Sequence, residues 1–455
     1  TAFYNNTTAS GGVAIGNRAL DANTTGDYNV GIGHDALGAN TTGTLNVAIG
    51  QNALITNTTG TNNTAIGQAA LYSNTTAGNN TAVGKSALAI NTTGTKNAAL
   101  GSQSLDANTT GDDNTAIGYN ALTSNTTADD NTAVGKDSML TNTTGSLNVA
   151  VGSSALYANT TGASNVALGE QALVANTTGG SNVAVGRRSL DDNTTGGSNV
   201  SVGNESLRSN TTASNNTAVG ASALQTNTTG SQVTAVGSTA GYANTTGQEN
   251  AFLGYAAGYA NTTGSYNTYV GRGASKAAGS AMTTGSANTI IGAYTGNNDS
   301  LDLRTSNNNI VLSDGGGNPR LRISSDPYLF VPAVYSATTS SGANVFVSTQ
   351  GLLQRSTSSL RYKNTVNDAT HGLTELLALR PVTYKGNNDG DTVFGGLIAE
   401  EVHDAGLTEF VQYDDDDKPD ALAYGNMVSL CIKAIQELKT ELDAAKARIA
   451  TLEAG

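Results

Sequence analysis

Asn40-Thr-Thr-Gly-Thr-Leu-Asn46-Val-Ala-Ile-Gly50-Gln-Asn-Ala-Leu-Ile-Thr56 is one copy of a pattern that governs the chain from Asn6 to Gly271. Its leading Asn-Thr-Thr returns every 17 residues from Asn6 to Asn261, giving 16 copies with no slip in spacing. Elements packed around a globular core differ in length and angle, so a constant period serves them no purpose. Units that stack on one another require it. The repeat therefore predicts a solenoid.

The columns of this unit differ in what they tolerate. The tenth residue after the leading Asn is Gly in all 16 copies, Gly50 and Gly152 among them. A glycine that never becomes alanine implies positive φ or a backbone contact too close for a Cβ. The third residue is Gly in 12 copies but alanine at Ala9, Ala77, Ala128 and Ala213, so that turn prefers Gly without needing it. The three residues before the invariant Gly alternate, as in Val30-Gly31-Ile32, Val47-Ala48-Ile49 and Thr64-Ala65-Ile66. Period two predicts a short strand, with branched residues on one face and a column of Ala or Gly on the other. Such a small-residue column admits close approach, either inside a flattened coil or across a subunit axis. Ala36-Leu37, Ala53-Leu54 and Ala121-Leu122 predict a second short strand.

The sixth residue is Asn in 14 copies, including Asn46 and Asn148; Gly12 and Val233 are the exceptions. Stacked at about 4.8 Å, identical Asn side chains form hydrogen-bonded ladders. The leading Asn and its Thr pair would form further columns at the turn. Sixteen coils at that spacing make a rod of about 75 Å. One coil buries little apolar surface against the ordering entropy of its residues. Association of chains along the Ala column is expected to supply the missing burial.

Composition agrees with thin, closely apposed elements: 55 Gly, no Trp, 6 Phe and only 13% charged residues. Branched apolar residues at fixed places separate the chain from disordered sequences. A net charge of −13 argues against nucleic acid, whose phosphates demand clustered Lys and Arg. The single cysteine, Cys431, excludes an intrachain disulfide. No apolar run reaches the roughly 18 residues that a membrane span needs. His34, His371 and His403 are isolated and lack metal-ligand spacing, so they are expected at the surface, with no metal or cofactor. Thr1 in place of an initiator Met suggests a processed or truncated N-terminus.

Asn-Val-Ala-Ile-Gly followed by small-x-Ala resembles the head repeat of trimeric autotransporter adhesins of the YadA type, across residues 1–292. The resemblance implies a trimeric β-roll, with the Asn-Thr-Thr turn as an elaboration. Three rival readings of the repeat surface rank below this one. Each Asn-Thr-Thr is formally a glycosylation sequon, but glycans on every coil would crowd. A Thr column suits an ice-binding solenoid, yet here the Thr pair sits in a turn and not at the period-two spacing of a flat strand face. Calcium-binding rolls need regularly placed Asp, which is scattered here.

The array drifts before it ends. Gly241 and Gly258 replace Leu, Phe252 and Tyr269 enter the Ala column, and the coil cross-section is expected to change there. Extra residues between Arg272 and Met282 break the register, and Asn288-Thr-Ile-Ile-Gly292 closes a degenerate coil. Residues 293–357 read as a β neck: Asn309-Ile-Val-Leu-Ser runs into a Gly turn, Arg320-Leu-Arg-Ile alternates, and Asn344-Val-Phe-Val-Ser precedes Gly351-Leu-Leu. Beyond it, Leu373 to Leu379 reads as a helix stopped by Pro381, Val382-Thr-Tyr as a strand, and residues 395–402 as a strand leading into a helix. Asp414-Asp-Asp-Asp-Lys418 reads as a solvated loop. Val428, Cys431, Ile435, Leu438, Leu442, Ala445, Ile449 and Leu452 alternate spacings of three and four, an a/d seam that predicts a coiled coil over residues 427–454. Cys431 on that seam is expected to be buried packing.

Ser358-Ser-Leu-Arg-Tyr-Lys363, Leu379-Arg-Pro-Val-Thr-Tyr384 and Gly396-Leu-Ile-Ala-Glu-Glu-Val402, followed by the closing helix, resemble the intramolecular chaperone domain of phage tail spikes and endosialidases, the peptidase S74 family, over residues 358–455. The resemblance implies a domain that trimerises, templates the upstream fibre and cuts itself off. That family cleaves just after the Ser of Ser-Asp-x-Arg-x-Lys. By position, Ser358 would be the nucleophile, Lys363 its base, and Ser358-Ser359 the scissile bond; a desolvated Lys can deprotonate a hydroxyl. Ser359 stands where that family has Asp, and Glu400 where Gln is frequent.

Together these features predict a mainly β chain: a trimeric β-roll or β-solenoid of 17-residue coils, a β neck, and a small α+β chaperone domain ending in a coiled coil. The expected function is a homotrimeric extracellular fibre on a phage virion or bacterial surface, with a cell-surface glycan or protein as receptor. The expected enzymology is a single Ser-Lys self-cleavage. A glycan-cleaving tailspike is the alternative; it would need a paired-carboxylate site, and the repeats carry no invariant pair.

Overall fold

Seventeen three-residue strands, from Val13–Ile15 to Thr289–Ile291, pair in parallel and in register, each copy of a residue beside the next copy of itself. The computed structural model describes residues 2–272, 277–298, 301–325, 329–330, 345–347, 353–355, 365–386, 391–414 and 416–454. It divides into two units, Thr1–Thr338 and Thr339–Gly455. The chain is mainly β, with a parallel solenoid, few helices and one long C-terminal helix.

In a typical coil Val47, Ala48 and Ile49 face Thr64, Ala65 and Ile66 of the next. The Val47 N–H donates to Asn63 O at 2.8 Å and the Gly50 N–H to Ile32 O at 2.8 Å, so backbone groups are satisfied by the coils on either side. The core is the column of Ala48, Ala65 and their copies together with Leu54, Leu71 and theirs, buried in every coil but the first, where Ala14 is partly buried. Ile49, Val151 and Leu168 point outward and are exposed.

This corrects the expected seam between chains: the Ala column is filled from within the same chain. The reason is width. A Cβ placed on Gly31 would already lie 3.1 Å from Leu20 Cγ, so the inward Leu leaves room opposite for a side chain no larger than that of Ala or Ser.

The expected second strand is also absent. Ala53-Leu54 and its copies lie in turns, with Leu37, Leu54 and Leu71 at φ of 52°, 50° and 50°. A left-handed conformation costs roughly 1–2 kcal/mol, whereas burying a Leu side chain returns roughly 1.5–3 kcal/mol. Burial wins. The Leu54 N–H still donates to Ala70 O at 3.0 Å, so the ladder between coils continues through the turn.

The two glycine columns have different reasons. Gly152 has φ of 139°, and a Cβ there would stand 2.5 Å from Gly169 O. Gly145 is not left-handed, but a Cβ would press on the carbonyl oxygen of Gly162 in the next coil. The bond from the preceding Thr does not sort the two residues: the Thr42 N–H before Gly43 donates to Thr58 O at 3.3 Å and the Thr8 N–H before Ala9 to Thr24 O at 3.1 Å, whereas Thr76, Thr127 and Thr212 before alanines, and Thr263 before Gly264, have no corresponding bond among the described residues.

Near the end of the array the volume moves from one wall of the coil to the other. Phe252 and Tyr269 are fully buried in the Ala column and stack at 5.5 Å. A Cβ on Gly241 would lie 2.6 Å from the Phe252 ring, so the aromatic occupies space that Leu holds in earlier coils. The register Ala235↔Phe252↔Tyr269 continues unbroken. The ladder also runs past Gly292: Ile290 pairs in parallel with Val311, and the Asn309 N–H donates to Asn288 Oδ1 at 3.0 Å. Strand Ile310–Ser313 then turns back antiparallel onto Pro319–Ile323, which pairs the last edge of the parallel stack.

The second unit holds three hairpins: Val345–Val347 with Leu353–Arg355, Val382–Lys385 with Val393–Gly396, and Val411–Tyr413 with Pro419–Leu422. Helices Leu373–Ala378, Ala399–Asp404 and Val428–Glu453 accompany them. Val402, Leu407, Phe410, Met427 and Leu430 form its small core. The acidic run from Asp414 to Lys418 is the turn of the third hairpin, where Asp414 Oδ1 accepts the Lys418 N–H at 2.9 Å.

Candidate functional site

The repeat residues singled out by sequence form two amide ladders. The Asn148 N–H and Nδ2 both donate to Asn131 Oδ1, at 3.0 and 3.2 Å, and Nδ2 donates also to Gly162 O at 2.9 Å. Its own Oδ1 accepts the Asn165 N–H at 2.9 Å. Asn46 repeats the arrangement on Asn29 and Gly60. The leading Asn makes the second ladder: Asn142 Nδ2 donates to Asn125 Oδ1 at 3.1 Å and to Gly145 O at 2.9 Å. These side chains are fully buried. A glycan on such a buried Nδ2 has no room, so these Asn-Thr-Thr sequons are structural, the exposed Asn6 of the first copy excepted. The first Thr is committed as well, since Thr143 Oγ1 donates to Thr160 O at 3.0 Å.

Chemistry on the repeat unit must therefore come from the columns that vary. The fourth, fifth, eleventh, twelfth and fifteenth positions after the leading Asn face solvent and differ from coil to coil. Arg187, Arg188 and Arg208 occupy three such places and pair with Glu170 (3.4 Å), Asp191 (2.7 Å from Arg188) and Glu205. The exposed Arg187–Glu170 pair contributes little, whereas Asp191 is buried beside Arg188. Beside these columns runs the outward branched face of the strands, an apolar stripe that includes Ile15, Ile49, Ile66, Val151 and Val236.

In the second unit, Ser358, Ser359 and Lys363 lie outside the described residues. The closing helix Val428–Glu453 buries Leu430 and Ala434 within the unit. Its a/d residues Val428, Cys431, Ile435, Leu438, Leu442, Ala445, Ile449 and Leu452 are all exposed, Ile435 at 64% and Leu452 at 77%. Cys431 is a free, exposed thiol, where burial was expected. The difference has a simple cause: no described residue of the same chain covers that face.

His403 is half-buried, with Nδ1 2.8 Å from the Tyr413 hydroxyl, rather than a free surface residue. His371 Nδ1 lies 2.6 Å from Glu409 Oε1, and that hydrogen bond raises the imidazole pKa above its ordinary 6.5. A raised folded-state value means the pair stabilises fully below pH 6.5, and the contribution fades as pH rises through the folded value. The melting temperature of the second unit is expected to fall by about 1–2 °C across that rise, the effect being small because the pair faces solvent. His371→Gln should flatten the profile; an unchanged slope in that variant would assign the pH dependence elsewhere.

Among the described residues, no group of three His, Cys, Asp or Glu side chains is placed to hold a metal ion, and no helix is long and apolar enough to cross a membrane. Sequence reading missed a surface cluster of Tyr242, Tyr255, Tyr259 and Arg272, because each residue sits in a variable column and only stacking brings them together. No family model, curated protein or solved structure matches this chain.

Proposed function

We propose that this chain is one of three in an extracellular fibre of a phage virion or bacterial surface, assembled by its own C-terminal domain. The observation that carries the reading is that one chain bears two long, uncovered apolar stripes. One is the Val/Ile face of the solenoid; the other is the a/d seam of the closing helix. Stripes of this length on a lone chain are an association surface or a liability. With the Ala column consumed inside each coil, the branched face is the interchain contact of the repeats, and the helical seam forms the coiled coil. The number three rests on the two resemblances, to YadA-type heads and to S74 chaperone domains.

The division of labour follows from the repeats. A slip by one coil preserves nearly every contact, so the array carries no information about register. A seam at the other end would align the chains before the coils zip together. Scission between Ser358 and Ser359, with Lys363 as base, would then make assembly one-way and the product kinetically stable. A cell-surface glycan or protein is the receptor.

Sedimentation of the full chain should give a trimer, and Ile435→Asp with Leu442→Asp should reduce it to monomers or aggregates. A monomeric wild type sinks the reading. Mass analysis should find a fragment ending at Ser358 that disappears in Ser358→Ala while trimers persist. Intact wild-type chain after prolonged incubation would remove the cleavage step.

A further inference from the structure

Single exposed tyrosines dot the repeat surface at Tyr72, Tyr119 and Tyr157, and at the end of the array they converge. Tyr242 and Tyr259, one coil apart in the same column, lie parallel with ring centroids 5.1 Å apart and 8° between planes. The Arg272 guanidinium sits over the Tyr255 ring, 4.8 Å from its centroid. Tyr255, Tyr259, Arg272, Ser280 and Thr295 line a cleft of about 450 Å³. It opens where the repeat period breaks, beside the bridge between Arg272 and Ala277. Earlier coils also carry long side chains in these columns, such as Tyr119, Tyr157 and Arg187, but among the described residues it is at Tyr242 and Tyr259 that rings of neighbouring coils stack.

The lining has a particular chemistry. Exposed tyrosine rings present rigid apolar faces with a polar tip, suited to a ligand that is itself apolar on one face and hydroxylated at its edges. A pyranose ring has that shape. Arg272 has no ion pair among the described residues; an aromatic ring holds its guanidinium, so its N–H donors remain for a ligand. The partner that best satisfies such a fork is a carboxylate. The net charge of −13 opposes an anion at long range, but screening confines that field to about 8–10 Å, and within that distance Arg272 dominates. The cleft volume lies within the roughly 300–1,000 Å³ of small-ligand sites.

We propose that this cleft binds an acidic saccharide, its carboxylate on Arg272 and its sugar faces on Tyr255 and Tyr259. The inference deepens the fibre reading and rests on it for its biological sense: three clefts on one fibre would bind a surface polysaccharide with avidity. The cleft residues Tyr255, Tyr259 and Arg272 occupy the eleventh and fifteenth columns, not the seventh and ninth that form the Val/Ile stripe.

The test titrates the full-length protein with oligomers of galacturonic acid and of sialic acid, and with neutral malto-oligosaccharides, by calorimetry and saturation-transfer NMR. One acidic series is expected to bind. Arg272→Gln and Tyr255→Ala should each weaken it about tenfold or more, while Tyr119→Ala, a solitary exposed tyrosine, should not. Sedimentation of each variant should show assembly unchanged. Absence of acidic binding by the wild type, preference for the neutral series, or undiminished binding in Arg272→Gln and Tyr255→Ala each overturns the site, whatever the assembly state. A monomeric wild type that still binds through Arg272 would overturn the fibre and leave the cleft standing.

Discussion

Gly152→Ala is expected to destabilise the repeat unit by about 3 kcal/mol or more, whereas Gly145→Ala, seven residues earlier, should cost about 1 kcal/mol. At Gly152 two penalties combine. A φ of 139° is a conformation that alanine scarcely adopts, and the new Cβ would stand 2.5 and 2.6 Å from the carbonyl oxygen and carbon of Gly169. Both belong to backbone held on each side by the ladder, so neither can retreat without opening the neighbouring coil. At Gly145 only the contact is present, and the chain already carries alanine in this column at Ala9, Ala77, Ala128 and Ala213, so the turn accommodates a Cβ there. Thermal melts should rank the two variants. Because each coil touches only its neighbours, hydrogen exchange should accelerate chiefly around Gly135, Gly152 and Gly169. Equal losses in the two variants would refute the distinction between the columns.

Asn148→Val should cost about 2–4 kcal/mol. The substitution removes the acceptor of the buried Asn165 N–H and takes one rung from a continuous amide ladder, whose bonds polarise one another. Other partners are partly covered: the backbone N–H of the substituted residue would still reach Asn131 Oδ1, and Gly162 O still accepts from Asn159. The chain holds its own precedent. The Val233 N–H donates to Asn216 Oδ1 at 2.9 Å, while the N–H of Asn250 in the following coil finds no acceptor among the described residues. The reciprocal change, Val233→Asn, should therefore stabilise by about 1 kcal/mol. A neutral Asn148→Val together with a destabilising Val233→Asn would show that packing, and not the ladder, governs this column.

Much of this architecture is legible in the chain before folding is considered. A stack places each residue beside its own next copy, so column statistics become contact statistics. Gly50 and Gly152 are invariant because one backbone crosses another there; Asn46 and Asn148 recur because an amide can bond to its own image. The strand of positions seven to nine, the strand at Val382–Lys385 and the closing helix follow from period and spacing in the same way, whereas the strands Val411–Tyr413 and Pro419–Leu422 around the acidic run were not read from the sequence. The dyad of Ser358 and Lys363 rests on motif resemblance alone. The cluster at Tyr255 and Arg272 escaped notice because its members share no motif and sit in columns whose residue changes from coil to coil, although each pair is one repeat apart.

Alternation of apolar and small residues in a strand states only that its two faces differ. Which of them looks inward depends on what stands opposite, and that was settled by Leu54 and its copies. They turn in through a left-handed backbone that no propensity favours, because burial outweighs the strain. Once they fill the coil only a small residue fits across from them, and the valines and isoleucines are driven to the outside. Local period therefore dictated the coil, and packing across it decided the surface it presents.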